Sequence, residues 1–170
     1  MRKIILLSLC ILATLIVNAR EPQRGYRGFV DVGFTAGNNH YFSDSRGEYI
    51  KDGTAFLDLS TSHGYQINNH FFVGAGLTLI GASPSGQMFP VFGEFRYDTA
   101  FGRFTPYADF RIGYSLSDPG FYMSPTIGYR FNWGRRLNLN LGLGMTLRGQ
   151  QIKGKDYGDP MLTLRFGVDF

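Results

Sequence analysis

The chain has one cysteine, Cys10, and it lies in a leading segment read here as removable. The mature protein is therefore expected to form no internal disulfide, and its stability must come from elsewhere. After residue 19 no apolar run reaches the ~20 residues that a membrane-spanning helix needs. There is no excess of one charge: the formal net charge is +4, falling to +2 once Arg2 and Lys3 leave with the leader. So mild and scattered a balance argues against nucleic-acid binding. Histidine occurs only as His40, His63 and His70: His63 and His70 flank a tight turn, and the spacing of His40 with Ser43, Asp44 and Glu48 in a loop is weak as a triad or a metal site. No catalytic, metal or cofactor site is expected. Linkers and low-complexity tracts are also missing, so the chain reads as one domain.

What is present begins with the leader, "MRKIILLSLCILATLIVNA", which has a basic start, a stretch dominated by Ile, Leu and Val, and Val17 and Ala19 at cleavage spacing. It reads as a secretory signal peptide spanning 1–19. Leu9 stands where lipidation at Cys10 would want a small residue, so a lipoprotein signal is rejected. A short segment, 20–25, follows, and then 26–170.

That remainder alternates. Eight segments carry apolar side chains at every second position, the mark of a strand with two unlike faces. In "LTLRFGVDF" one face holds Leu162, Leu164, Phe166, Val168 and Phe170, and the other holds Thr163, Arg165, Gly167 and Asp169. Similarly, Val30, Val32 and Phe34 oppose Asp31 and Gly33, and Leu137 to Leu147 alternate with Asn138, Asn140, Gly142, Gly144, Thr146 and Arg148. Pro125 falls inside the sixth segment and should disturb its ladder, because proline has no N–H to donate. The connections "QINNH", "AFGRF" and "NWGRR" are tight. "NNHYFSDSRGEYIKDG" and "GQQIKGKDYGDP" read as long polar loops at the other end. Alternating tight turns and longer loops are the pattern of an up-and-down membrane barrel.

Volume decides which face is outside. Some thirty large apolar side chains cannot enter an eight-stranded lumen, which is only wide enough for side chains to fill it or for one small ligand. The opposite face is rich in glycine, as a narrow interior housing long side chains requires. The fold class expected is all-β: an eight-stranded antiparallel up-and-down transmembrane β-barrel. Ten residues at about 3.3 Å each, tilted near 45°, rise roughly 23 Å, close to the ~25 Å apolar band of such barrels. Aromatic girdles are expected at both rims: Tyr26, Tyr97, Tyr129, Phe131, Trp133 and Phe170 toward the tight turns, and Phe34, Phe89, Tyr114 and Phe121 toward the loops.

The inward positions then carry Asp31, Asp58, Glu94, Asp98, Asp109 and Asp169 against Arg27, Arg96, Arg111, Arg130, Arg148 and Arg165. The signs balance, and every cation is arginine, whose planar fork suits bidentate pairing with carboxylates. A salt-bridged lumen is expected.

These residues resemble a small OmpA-type outer-membrane β-barrel, of the outer-membrane protein β-barrel domain family. The resemblance covers Tyr26 to Phe170 and rests on the eight amphipathic segments and the closing "LTLRFGVDF". It implies that Phe170, with Val168, Phe166 and Leu164, is the signal read by the barrel-assembly machinery. It also implies outer-membrane lipid as the surroundings, periplasmic chaperones during biogenesis, both mature termini in the periplasm, and a monomer. The peptidoglycan-binding domain of full-length OmpA proteins is not expected, so wall anchoring is not carried over. The expected function is a closed structural or surface-interaction barrel whose loops meet an unidentified extracellular ligand. A narrow porin-like channel is the alternative, and a lipid-modifying barrel enzyme the remaining one.

Overall fold

A computed structural model describes residues 24–43, 48–83, 86–99, 103–117, 119–133, 137–152 and 155–170, with backbone only at the far ends of several hairpins. The leader at 1–19 and residues 20–23 lie outside the described residues. Nine strands follow in order: β1 (Gly25–Ser43), β2 (Glu48–Gln66), β3 (Phe71–Ser83), β4 (Gly86–Met88), β5 (Pro90–Asp98), β6 (Phe104–Ser115), β7 (Gly120–Trp133), β8 (Leu137–Ile152) and β9 (Lys155–Asp169). β4 and β5 both pair with β3 and are parted only at Phe89, so they form one stave and the barrel has eight. Each stave pairs antiparallel with the next, and β1 pairs with β9 from Phe29↔Asp169 to Gly37↔Met161. Closure leaves no open sheet edge in the wall, which is what a sheet in lipid needs.

Burial follows the alternation. Along β5 it reads buried, exposed, buried without a slip apart from half-buried Gly93, with Glu94, Arg96 and Asp98 inward and Val91, Phe95 and Tyr97 outward. Leu57, Leu162 and Ile127, on the outer face of the wall, are 60–69% exposed. The hydrophobic side is therefore the outside. Exposed aromatics sit near both ends, Tyr26, Tyr65, Phe71, Tyr97, Phe104 and Tyr129 by the tight turns and Phe34, Phe89, Tyr114 and Phe121 at the other rim, with Phe95, Phe110 and Phe166 between them. The side chain of Trp133 lies outside the described residues.

Two expectations are corrected. Of the stretch read as a long polar loop at 38–53, residues 38–43 pair with 48–53, from Asn38↔Gly53 to Ser43↔Glu48, so β1 and β2 continue as a ribbon past the seam with β9. The stretch at 149–160 likewise pairs from Gly149↔Gly158 to Ile152↔Lys155. Polar side chains do not prevent pairing once the hairpin register is set by the wall below. Pro125 has the predicted kind of effect but on one side only. β7 keeps its ladder to β6 through Phe110↔Pro125, while its ladder to β8 skips from Met123↔Leu147 to Thr126↔Gly144.

The tight turns are held locally. Asn68 Oδ1 accepts hydrogen bonds from the backbone N–H of His70 (2.8 Å) and Phe71 (2.9 Å), which closes the β2–β3 turn.

Candidate functional site: a filled lumen

The inward positions of the eight staves point at one another across a narrow space. Arg27, Asp31, Asp58, Glu94, Arg96, Asp98, Asp109, Arg111, Arg130, Arg148, Arg165 and Asp169 all lie there, and none is more than 7% exposed. In an open water channel their tips would be wetted. Here they are packed against each other in three levels.

The level nearest the tight turns is centred on Asp98. Its carboxylate accepts from Arg27 Nη1 at 2.7 Å, Arg130 Nη1 at 3.0 Å and Arg96 Nε at 3.0 Å. Asp169 beside it accepts from Arg27 Nε at 2.9 Å, Asn140 Nδ2 at 2.9 Å and Asn138 Nδ2 at 3.2 Å. Aromatic faces complete the packing. The Arg27 and Arg96 guanidiniums lie 4.6 Å and 4.8 Å from the Phe29 ring centre, and Arg96 lies 3.7 Å from that of Tyr107. Guanidinium on a ring face is attractive, more so without water. Tyr107 fits because Gly128 faces it: a Cβ there would come within 2.7 Å of Tyr107 Cζ.

The middle level is built on Arg111. It meets Asp31 at 2.5 Å, Asp109 at 3.2 Å and Glu94 at 3.5 Å, and donates to Ser60 Oγ at 3.0 Å. Arg165 also reaches Asp109, at 3.3 Å. Asp58 makes no direct ion pair among the described residues and instead ends a chain of hydroxyls. Arg165 Nη2 donates to Ser124 Oγ (3.0 Å), Ser124 meets Thr146 (3.2 Å), Thr146 meets Thr163 (2.7 Å), and Thr163 meets Thr35 (2.9 Å). Thr35 Oγ1 donates to Asp58 at 3.3 Å. Four hydroxyls on four staves thus connect a guanidinium to a carboxylate. The break in the β7–β8 ladder at Ser124 and Pro125 falls beside this chain.

The level toward the opposite rim is apolar: Phe56, Ile80, Met88 and Met161 cluster, with Arg148 lying 5.3 Å from the Phe56 ring centre and Nη2 against Met88 Sδ. Sequence reading placed none of these four, nor Phe29, Phe72, Phe92 and Tyr107, in the lumen. A signal was there to use. Phe29 precedes Asp31 by two residues, Phe92 precedes Glu94 by two and Tyr107 precedes Asp109 by two, so each shares the inward parity of a charge.

The histidines fall elsewhere. His70 Nδ1 contacts the Asp98 backbone oxygen at 2.8 Å, and its ring stacks on Tyr97. His63 lies on the outer face near the tight-turn rim, with Nδ1 2.6 Å from Tyr26 Oη and Nε2 3.1 Å from Thr61 Oγ1. Thr61 Oγ1 also lies 3.1 Å from the Phe29 carbonyl oxygen. The side chains of His40 and its acidic neighbours lie outside the described residues. Leu164, Phe166 and Val168 line the outer face of β9, and Phe170 continues it beyond the strand.

A closed antiparallel sheet of eight staves, apolar outside and charged within, defines a transmembrane up-and-down β-barrel. Among solved structures the chain is similar to Neisserial surface protein A. Identity is 14%, the match covers 87% of this chain and 98% of that one, and the TM-score is 0.59. It is also similar to a transmembrane β-barrel designed de novo, at 14% identity over 89% of this chain and 97% of that one, with a TM-score of 0.53. What is shared at this level of identity is the fold. No protein-family model and no curated protein matches the chain.

Proposed function

We propose that this protein is an integral bacterial outer-membrane barrel, closed through its centre, that serves as a structural and surface-contact element rather than as a pore or an enzyme. The observation that carries the reading is the filled lumen: twelve charged side chains, each at most 7% exposed, with a cluster of Phe, Ile and Met above them. Contact with the exterior falls to the paired ribbons that β1–β2 and β8–β9 extend past the wall seam. The outer apolar face suits lipid, and the leader suits export. On this reading the protein is a monomer delivered by periplasmic chaperones, and Leu164, Phe166, Val168 and Phe170 are read by the barrel-assembly machinery during insertion. The test is electrical. Purified protein reconstituted in planar bilayers should show no stepwise current, and reproducible unitary conductance would replace this reading with the narrow porin.

A further inference from the structure

Seven of the eight seams join staves consecutive along the chain, and in a hairpin the turn fixes the register. The β1–β9 seam has no turn. Alternating hydrophobicity forbids a slip of one residue, which would swap the faces, but it permits a slip of two. Something else must choose Phe29↔Asp169 over its neighbours.

On the outer face, Gly28 is the one glycine among the outward positions Tyr26, Gly28, Val30, Val32, Phe34 and Ala36 of β1. Phe170 lies directly across, bonded by Gly28 N–H to the Phe170 carbonyl (2.9 Å) and Phe170 N–H to the Gly28 carbonyl (3.1 Å). Its ring covers the glycine: a Cβ on Gly28 would sit 2.7 Å from Phe170 Cζ and 2.8 Å from Cε2. The same ring meets His63 edge-to-face, with centroids 6.3 Å apart, so it spans β9, β1 and β2. On the inner face the roles reverse. Gly167 is on β9, and the carboxylate of Asp31 occupies the space its side chain would take.

A two-residue slip in either direction breaks both fits. A slip that sets Asp31 opposite Asp169 opposes like charges. A slip the other way sets Asp31 opposite Arg165, which is electrostatically favourable, but it drives the Phe170 ring onto Tyr26. On the outer face the Phe170 ring against Gly28 opposes that second alternative, which on the inner face would also part Thr35 from Thr163 and move Asp31 off Gly167. We infer that Phe170 and Gly28 form the register pin of the closing seam, a positioning role belonging to the folded barrel and independent of any reading of Phe170 as an assembly signal.

The test uses the full chain carrying Cys10→Ser, refolded from urea into dilauroylphosphatidylcholine vesicles with no assembly machinery present. Two cysteine pairs report the register: Val30→Cys with Val168→Cys for the native seam, and Val30→Cys with Phe166→Cys for the slipped one. The native pair should cross-link in the parent and the slipped pair should not. With Gly28→Phe or Phe170→Ala the native cross-link should fall and the slipped one rise. If Gly28→Phe instead yields no folded barrel, the exchange Gly28→Phe/Phe170→Gly, which restores one ring facing one glycine, should recover both folding and the native cross-link. Native cross-linking at parental yield in Phe170→Ala, or an exchange variant no better than Gly28→Phe alone, would overturn the inference.

Discussion

Replacing Arg111 by alanine is the severest single test of the filled lumen. The side chain is 2% exposed and touches three carboxylates, Asp31, Glu94 and Asp109, within 3.5 Å. Asp109 would keep Arg165 at 3.3 Å, but Asp31 and Glu94 would lose their guanidinium. Breaking a buried pair in this way costs about 3–5 kcal/mol, chiefly because a charge is left uncompensated. Against a total stability of roughly 5–15 kcal/mol that is a large share. With urea slopes of about 1–3 kcal/mol/M the midpoint should drop by roughly 1–5 M. The assay is urea titration in lipid vesicles, read by the fluorescence of Trp133, the chain's single tryptophan, and by the mobility of unboiled samples on a denaturing gel. The triple variant Arg111→Ala/Asp31→Asn/Glu94→Gln, which removes the stranded charges, should regain most of the loss. An unchanged midpoint for Arg111→Ala would refute the reasoning and mean that water already reaches the arginine.

Thr163→Val cuts the hydroxyl chain in its middle and should cost about 1–3 kcal/mol in the same titration, most of it absent in an Asp58→Asn background; additive effects would show that the chain does not reach Asp58. Gly113→Ala should abolish the heat-shifted folded band, since a Cβ there runs into the Val91 carbonyl oxygen, whereas Gly93→Ala, with nothing nearer than 3.9 Å, should fold normally. Ile127→Lys puts a charge on the most lipid-exposed side chain of the wall and should cost about 2–4 kcal/mol in bilayers; a neutral outcome would place that face in water.

The wall was legible in the sequence because parity is a local property. Whether Asp31 or Val32 points inward depends only on counting by two, and the one register shift, where β3 meets β4, lies at the far end of its stave. The pairings were not legible. That Arg111 reaches Asp31, 80 positions away, or that Asp98 collects Arg27, Arg96 and Arg130, depends on the stagger of staves around a closed ring, which no single segment encodes. The inward aromatics were overlooked for another reason. Phe72 stands between Phe71 and Val73 in a run that looks uniformly apolar, and its inward role shows only when Gly64 and Gly74 are seen to clear the space it fills. The ribbon of 38–43 against 48–53 was hidden by composition, since its polar residues suit a loop and pair all the same.

The hydroxyl chain has a consequence for where protons sit. A row of linked hydroxyls can usually point its hydrogens either way, as water does in ice, and keeps that disorder as entropy. Here both ends are committed, because Arg165 can only donate and Thr35 gives its one hydrogen to Asp58. Thr163 must then donate to Thr35, Thr146 to Thr163 and Ser124 to Thr146. The four O–H dipoles align head to tail, and the interior of the barrel holds a proton-ordered filament whose polarity is fixed by which end carries the guanidinium.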